Sequence, residues 1–263
     1  MAFKHITSRD NAIFKAIKKL AENARDRQKT NQTLLDGVHL IQMYAEVFGE
    51  PALLVIPEGK STAEATHLLQ QFADVDTLML PTLMFAELSP VTNATGILAL
   101  VSIPQLEVPK TPQCVLMLED IQDPGNLGSM LRTASAAGVD AVYLSTGCTD
   151  AWSPKCLRGG QGAQFLLPVV EKADLLAEIS QFQGQTLAAT MTGESIYSQR
   201  FSLATAFVIG NEGNGLKAAT IAACTKPVTI PMTENHLGKM ESLNAGVAVA
   251  VMLFERVRQL SAN

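Results

Sequence analysis

Short apolar runs alternate with amphipathic segments along most of the chain. Runs such as residues 114–118 and 206–209 are almost wholly apolar, as is typical of strands in a parallel sheet that is covered on both faces. Other segments repeat apolar residues every three or four positions, which is typical of helices packed by one face. The alternation therefore predicts an α/β protein.

The first hundred residues show this pattern in a small set of elements. We predict helices at 8–20, 38–48, 61–72 and 81–88, and strands at 33–35, 52–56, 77–80 and 96–101. Ser8 is the predicted cap of the first helix, whose apolar stripe contains Phe14, Ile17 and Leu20. These elements predict a small N-terminal α/β/α domain around a central sheet, over residues 1–102.

A proline-rich stretch separates this domain from the rest. Residues 103–113 contain Pro104, Pro109 and Pro112 and show no periodicity, as expected for an extended linker. Residues 114–263 then form the predicted C-terminal domain, an α/β parallel sheet. Its expected strands are 114–118, 141–144, 165–170, 186–189, 206–209 and 228–230, and its expected helices are 127–137, 173–182, 215–223 and 243–260.

The last of these segments has two interpretations. Residues 247–251 alternate like a strand, whereas the length of the segment, a Ser242 cap and the terminal Arg256 and Arg258 favour a helix. Because the segment is apolar on nearly every side, we expect it to be buried in the core or in a subunit interface.

Composition excludes several classes of protein. The longest apolar run covers ten residues, 245–254, too few to span a bilayer. The start of the chain lacks the apolar stretch of a signal peptide, and the four cysteines form no C-x-x-C pair. We therefore expect a cytoplasmic protein with reduced thiols, no membrane contact and no metal site, since the histidines are scattered.

Charge is unevenly distributed. Residues 1–30 contain eight basic and three acidic side chains, a net charge of +5, which leaves −10 on the rest of a chain whose total is −5. A basic end on an acidic body indicates either an anionic partner or the solvated face of an amphipathic helix. Charge alone does not separate these alternatives.

Three segments at predicted strand ends are candidates for chemistry. They are Asp123–Thr133, with the turn Asp-Pro-Gly, Asn126 as a helix cap and Arg132; the glycine-rich turn 210–215; and Ser242-Leu243-Asn244. Each has an ordinary explanation as a turn or cap. The carboxyl ends of parallel strands, however, are where α/β proteins bind ligands.

Together the three segments resemble the motifs of the SpoU (TrmH) branch of the SPOUT RNA methyltransferases. Residues 153–163 also resemble the stretch between the first two motifs, and the N-terminal segment is similar to a substrate-binding domain of these enzymes around Ser8, Asn11 and residues 36–39. The resemblance implies a C-terminal domain with a trefoil knot, an exception to the rule against threaded chains. It also implies S-adenosylmethionine as the methyl donor, a homodimer through the C-terminal domain, and ribose 2′-O-methylation of RNA.

The resemblance assigns roles to particular residues. Donor binding falls to Gly210, Ile230 and Leu243, with Thr190 as a further candidate, and the reaction site to Arg132, Asn126, Glu212, Ser242 and Asn244. A fixed arginine could stabilise the alkoxide that develops on a ribose hydroxyl, and Glu212 could orient Arg132 or cap a helix. On an ideal helix Asn126 and Arg132 diverge by about 120°, so the two would converge only if Asn126 lies in a loop. The loop 233–241 is longer than the family's, with Gly238 the candidate for the family's loop glycine.

The RNA partner is predicted from basic residues. The candidates for phosphate contact are Arg9, Lys15, Lys18, Lys19, Lys155 and Arg158. We favour rRNA because the N-terminal domain resembles those of rRNA enzymes. The alternatives are a tRNA methyltransferase, a non-catalytic RNA-binding protein with the same fold, and a nucleotide-binding metabolic enzyme. The last is disfavoured because no acidic ribose-binding residue follows a G-x-G-x-x-G sequence.

Overall fold

The structure, a computed structural model, describes residues 3–59, 61–89, 96–235, 238–239 and 242–261. It divides into two compact units. The first contains Met1–Gln105 and Trp152–Phe165, and the second contains Leu106–Ala151 and Leu166–Asn263. Parts of the long loop, residues 236–237 and 240–241, lie outside the described residues.

The first unit is built on a mixed five-stranded sheet. Its strand order is β1-β4-β3-β5-β2, with β1, β3 and β4 parallel and β5 antiparallel to both β3 and β2. The elements are β1 (Phe3–His5), α1 (Ala12–Glu22), α2 (Ala24–Thr30), β2 (Gln32–Asp36), α3 (Val38–Phe48), β3 (Leu53–Pro57), α4 (Ala63–Gln71), β4 (Thr77–Leu80), α5 (Thr82–Leu88) and β5 (Leu98–Ser102).

Helix α1 shows how the local pattern leads to packing. Its predicted stripe is confirmed, since Phe14, Ile17 and Leu20 are buried in the core of this unit. The predicted cap is wrong: the side chain of Asn11, and not that of Ser8, accepts hydrogen bonds from the first turn. Ser8 instead accepts from the backbone of Asp10, so the helix begins four residues later than its polar start suggests.

The second unit contains a six-stranded sheet in which every described pairing is parallel. Its order is β11-β9-β10-β6-β7-β8. From residue 106 onwards the elements are β6 (Cys114–Leu118), α6 (Pro124–Ala136), β7 (Ala141–Leu144), α7 (Pro154–Gly160, in the first unit), β8 (Val169–Val170), α8 (Leu175–Gln181), β9 (Gln185–Ser195), β10 (Thr205–Ile209), α9 (Ala218–Ala223), β11 (Lys226–Thr229), β12 (Glu234–Asn235), β13 (Gly238–Lys239) and α10 (Ala245–Ser261). The predicted α/β parallel sheet is therefore confirmed.

Three details of this unit differ from the sequence pattern. The strand expected over 165–170 is only Val169–Val170, because a short 3₁₀ helix occupies Ala163–Phe165. Strand β9 continues to Ser195, beyond the predicted end at 189. The final segment is a helix, as its length indicates, yet Val247 and Phe254 are about half exposed, so one side of α10 is not buried within the chain.

Residues 152–165 pack in the first unit, although they follow β7 in the chain. The hydroxyl of Thr33 on β2 donates to the carbonyl oxygen of Trp152 at 2.6 Å. The ring of Phe165 packs edge-on against Tyr44 of α3, with 5.6 Å between centroids. The apolar side chain of Leu157 on α7 is fully buried. Helix α7 is thus part of the core that covers β2 and α3.

No helix in the described ranges is long and apolar enough to cross a membrane.

Candidate active site

The three candidate segments follow strands that lie side by side. Strand β6 pairs with β10, β10 with β9, and β9 with β11. Because the pairings are parallel, the carboxyl ends of these strands meet at one edge of the sheet, where α/β proteins assemble their sites. Helix α6 follows β6, the turn 210–215 follows β10, and α10 packs against α6.

Asn126 joins all three segments through one side-chain amide. Its Nδ2 donates to Oε1 of Glu212 at 3.1 Å, and its Oδ1 accepts from Nδ2 of Asn244 at 3.2 Å. Asn244 in turn accepts at Oδ1 from the backbone of Gly246 and Val247, at 2.9 and 3.3 Å. We call this chain of bonds the Asn126 network. It holds the turn after β10 and the start of α10 against the start of α6.

The network changes the predicted caps. Asp123, not Asn126, caps α6 by accepting from the backbone of Asn126. Asn126 therefore lies inside the helix and its side chain is free to bridge. At α10 the cap is Asn244 and not Ser242, which is exposed. Both predicted caps are therefore wrong, because several polar residues near each helix start are able to cap and local sequence did not distinguish among them.

The turn 210–215 is shaped by its own backbone. A Cβ atom on Gly210 would lie 2.2 Å from the carbonyl carbon of Gly215, so no side chain fits there. Gly215 has φ +67°, the left-handed region that favours glycine. Asn211 accepts from the backbone of Gly213 and Asn214 and donates to the carbonyl of Asp120 at 2.8 Å. The glycines thus let the turn close on itself and present Glu212 outwards.

A polar cluster behind the turn fixes the loop after β6, and the sequence did not indicate it. Buried Glu119 accepts from the backbone amide of Lys217 and from the hydroxyl of Thr220 at 2.8 and 2.7 Å. The ammonium of Lys217 lies 2.7 Å from the carboxylate of Asp120. A hydrogen bond from Lys217, assisted by one from Ser145, lowers the pKa of Asp120. The contacts of Glu119 with Lys217 and Thr220 span 98 and 101 residues of sequence, which is why no local pattern revealed them.

The candidate donor residues lie at the ends of β9, β10 and β11. Gly210 and Ile230 directly follow β10 and β11. Strand β9 pairs with β11 up to Ala188 and again from Glu194, so residues 189–193, including Thr190, leave the ladder. Thr229 donates to the carbonyl of Met191 at 3.3 Å and holds this stretch beside β11. Leu243, just before α10, is 38% exposed.

These residues fit the donor that the resemblance implies. Because residues 189–193 do not pair with β11, their backbone amide and carbonyl groups are available to the uncharged edge of an adenine ring. The side-chain-free backbone at Gly210 and the apolar Ile230 and Leu243 suit an adenine and a thioether-like chain.

No cluster of three or more His, Cys, Asp or Glu side chains that could hold a metal ion occurs in the described part of the chain.

Arg132 is not brought into the Asn126 network. It lies on α6, six residues after Asn126, so the two side chains diverge by about 120°. Its side chain is exposed and forms no hydrogen bond or ion pair within the described residues. Glu212 bonds Asn126 and forms no ion pair with Arg132 among the described residues. Within one chain, the expected pairing of Glu212 with Arg132 is therefore absent from the described contacts.

The basic residues predicted to contact phosphate lie in two places, the N-terminal segment that includes α1 and the helix α7. Arg9 and Lys18 bind Glu87 at 2.7 and 2.6 Å, and Lys15 binds Asp10 at 2.7 Å. Lys19 is exposed and has no partner within the described residues. On α7, Arg158 pairs with buried Asp36 of β2, which also accepts from Ser89. Exposed Lys155 has contacts of its own.

Comparisons with known proteins agree with this arrangement. The profile of the SpoU rRNA Methylase family matches residues 113–254. A Synechocystis protein described as an uncharacterized tRNA/rRNA methyltransferase is 32% identical, over 97% of this chain and 93% of its own length. The 23S rRNA (guanosine(2553)-2′-O)-methyltransferase RlmP of Bacillus subtilis is 32% identical, over 95% and 98% respectively.

A solved structure extends the likeness to three dimensions. The crystal structure of an RNA 2′-O ribose methyltransferase superposes with a TM-score of 0.82 at 28% identity, covering 98% of this chain and 100% of that one. The family profile, the two relatives and the shared fold lead to one conclusion: the chain belongs to the SpoU rRNA methylase family.

Proposed function

We propose that the protein methylates ribose 2′-hydroxyl groups of RNA, with S-adenosylmethionine as donor and rRNA as substrate. The observation that supports it most is the Asn126 network, which joins Asn126, Glu212 and Asn244 at one strand edge in a chain of this family. The favoured RNA is 23S rRNA, because RlmP carries that name and aligns over nearly its whole length. A tRNA substrate is the second candidate, since the Synechocystis relative is named for both RNAs.

The chain's own residues would perform two tasks. S-adenosylmethionine supplies a methyl group on an electron-poor sulfonium, so the protein mainly has to orient the ribose in line with it. Arg132 would stabilise the negative charge that develops on the ribose 2′-oxygen. The Asn126 network would hold Glu212, Ser242 and Asn244 around the ribose, while the strand ends at Thr190, Gly210, Ile230 and Leu243 bind the donor.

The position of Arg132 supports a homodimer formed through the C-terminal domain. In one chain Arg132 diverges from Asn126 and has no partner among the described residues. The half-exposed Val247 and Phe254 on the adjacent α10 are apolar surface that a second copy could cover. We infer that Arg132 of one copy serves the Asn126 network of the other. The trefoil knot implied by the family resemblance belongs to this same domain.

RNA docking is proposed for residues 1–102, joined by the linker 103–113 to a methyltransferase domain over 114–263, of which residues 152–165 pack in the first unit. Lys19 of α1 and Arg25 and Lys29 of α2 are exposed without a partner among the described residues. Ion pairs with Glu87 and Asp10 are formed by Arg9, Lys15 and Lys18. These pairs weaken the attraction of the three cations for phosphate. On α7, Lys155 and Arg158 remain candidates for phosphate contact. Since the substrate is rRNA, we expect the protein to act in the cytoplasm.

Transfer of tritiated methyl groups tests the function directly. Purified protein, labelled donor and unmodified 23S rRNA or bulk tRNA, each transcribed in vitro, should yield labelled 2′-O-methylribose in the 23S rRNA. Label in tRNA alone would move the assignment to the second candidate, and label in neither would contradict the proposal. Arg132→Ala should lower the single-turnover rate by about a hundredfold or more, whereas Arg132→Lys should restore little because it lacks the planar guanidinium.

A further inference from the structure

The first unit contains a cavity that methyl transfer does not use. It lies where the first turns of α3 and α4 come together and has a volume of about 540 Å³, within the range of small-ligand sites. Its lining residues are Val38, His39, Gln42, Ala63, Glu64 and His67. Lining residues that lie three or four positions apart on each helix share one face. Because His39, Glu64 and His67 are exposed, the two faces form an open depression at the surface.

The polar side chains of this cavity are uncommitted. No side-chain hydrogen bond or ion pair is formed, within the described residues, by His39, Gln42, Glu64 or His67. His5 of the same unit, by contrast, is bonded to Glu58. Four neighbouring polar side chains without intramolecular partners leave donors, acceptors and ring faces available to a ligand.

The lining selects one class of ligand. Among the described residues the lining contains no Lys or Arg, and the carboxylate of Glu64 repels a phosphate. The described residues contain no group of three or more side chains that could hold a metal ion, here or elsewhere. Two imidazole rings can stack on a flat heterocycle, while Gln42 both donates and accepts, and Glu64 accepts from ring-edge N–H groups. These features suit a neutral aromatic ring with N–H donors on its edge, which describes a nucleobase.

We propose that this cavity receives one unpaired base of the RNA substrate, stacked against His39 and His67 and bonded along its edge by Gln42 and Glu64. The proposal rests on the proposed function, because the base belongs to the RNA that is methylated. Sequence-specific recognition of RNA mostly uses unpaired bases that can be splayed out and stacked on flat side chains. The cavity would therefore select rRNA loops, while methylation takes place in the second unit.

Fluorescence anisotropy of the full-length protein tests the cavity without requiring activity. The probes are a labelled stem-loop RNA with an unpaired loop of mixed sequence and a blunt duplex with the same stem. His39→Ala and His67→Ala should each weaken stem-loop binding by about tenfold, the usual loss for one stacked base, and leave duplex binding unchanged. His67→Phe, which keeps a ring face, should bind nearly as the wild type does. Gln70→Ala, an exposed position on α4 outside the cavity, is the matched control.

Three results would overturn the inference. They are unchanged stem-loop affinity in both alanine variants, an equal loss on the duplex, or a His67→Phe variant as weak as His67→Ala. With 23S rRNA as substrate, the alanine variants should raise KM for RNA and leave kcat and donor affinity near wild type. If the wild type methylates no RNA, the proposed function fails, while the anisotropy result still decides whether the cavity binds a base.

Discussion

At the scale of single residues, Asn126 shows why the type of side chain matters. Its amide nitrogen donates a hydrogen bond to Glu212 and its amide oxygen accepts one from Asn244. One planar group therefore supplies both a donor and an acceptor. A carboxylate in its place accepts from Asn244 but has no proton for Glu212. The network thus depends on an amide and is not a general polar contact.

We therefore expect Asn126→Asp to be nearly as damaging as Asn126→Ala. Two carboxylates would face each other across the 3.1 Å that now separates Asn126 from Glu212, and Glu212 would move away. Single-turnover methyl transfer should fall by about a hundredfold, the effect of a small misplacement in a reaction site. Melting temperature and donor affinity should change little. Gln122→Ala, exposed in the preceding loop, is the control, and a wild-type rate for Asn126→Asp would contradict a positioning role.

At the scale of elements, the turn 210–215 provides its own control. Gly210→Ala puts a Cβ within 2.2 Å of backbone at Gly215, whereas Gly213→Ala meets only the side chain of Asn211 at 3.5 Å. Gly210→Ala should open the turn, destabilise the protein by about 1–3 kcal/mol and weaken S-adenosylmethionine binding at least about tenfold. Gly213→Ala should do neither. Calorimetry and thermal melts measure both effects, and equal donor affinity in the two variants would exclude this turn from the donor site.

Helices α1 and α2 provide a second test at this scale. Lys18 is held by Glu87 at 2.6 Å, while its neighbour Lys19 has no partner among the described residues. Replacing Lys19, Arg25 and Lys29 by Gln should weaken RNA binding and reduce the slope of log Kd against log salt by about two to three. Replacing Arg9, Lys15 and Lys18 by Gln should change the slope less. The reverse order would show that the ion-paired cations contact the RNA.

At the scale of the whole molecule, complementation tests whether two copies share a site. An Arg132→Ala chain and an Asn126→Ala chain can be co-expressed with different tags and purified over both. If Arg132 serves the network of the other copy, one of the two sites in such a heterodimer is complete, and about half of the wild-type rate should return. Each homodimeric variant should stay inactive. A heterodimer as inactive as its parents would place both residues of each site in one chain.

The packing of residues 152–165 in the first unit predicts what happens when residues 1–102 are deleted. Trp152, Leu157 and Phe165 are buried in the first unit, so deleting residues 1–102 removes most of the surface they pack against. We expect the truncated protein to aggregate more readily and limited proteolysis to cut it within 152–165, where the full-length protein resists. Donor binding measured by calorimetry should persist, because the donor residues lie in the second unit. Equal protease resistance of this segment in both proteins would contradict the assignment.

The amino-acid sequence by itself determined the elements and the residue types of the site. Apolar periodicity predicts strands such as Cys114–Leu118 and helices such as α3. This signal is local, so it can be read from the sequence without the fold. The resemblance of the three motifs to the SpoU family likewise implied Asn126, Glu212 and Asn244 as site residues. Element ends were predicted less well, because Ser8, Asn11, Ser242 and Asn244 are all capable caps and packing selects among them.

Tertiary structure alone decided which side chains meet. Asn126 bonds Glu212 across 86 positions and Asn244 across 118, Arg158 pairs with Asp36 across 122, and Lys18 meets Glu87 across 69. No local pattern contains these pairings, since they arise when parallel strands bring distant loops to one edge or when a segment such as 152–165 packs against strands far away in sequence. For the same reason the sequence counted Lys18 and Lys19 as equivalent positive charges. The fold pairs Lys18 with Glu87, whereas Lys19 has no side-chain partner among the described residues.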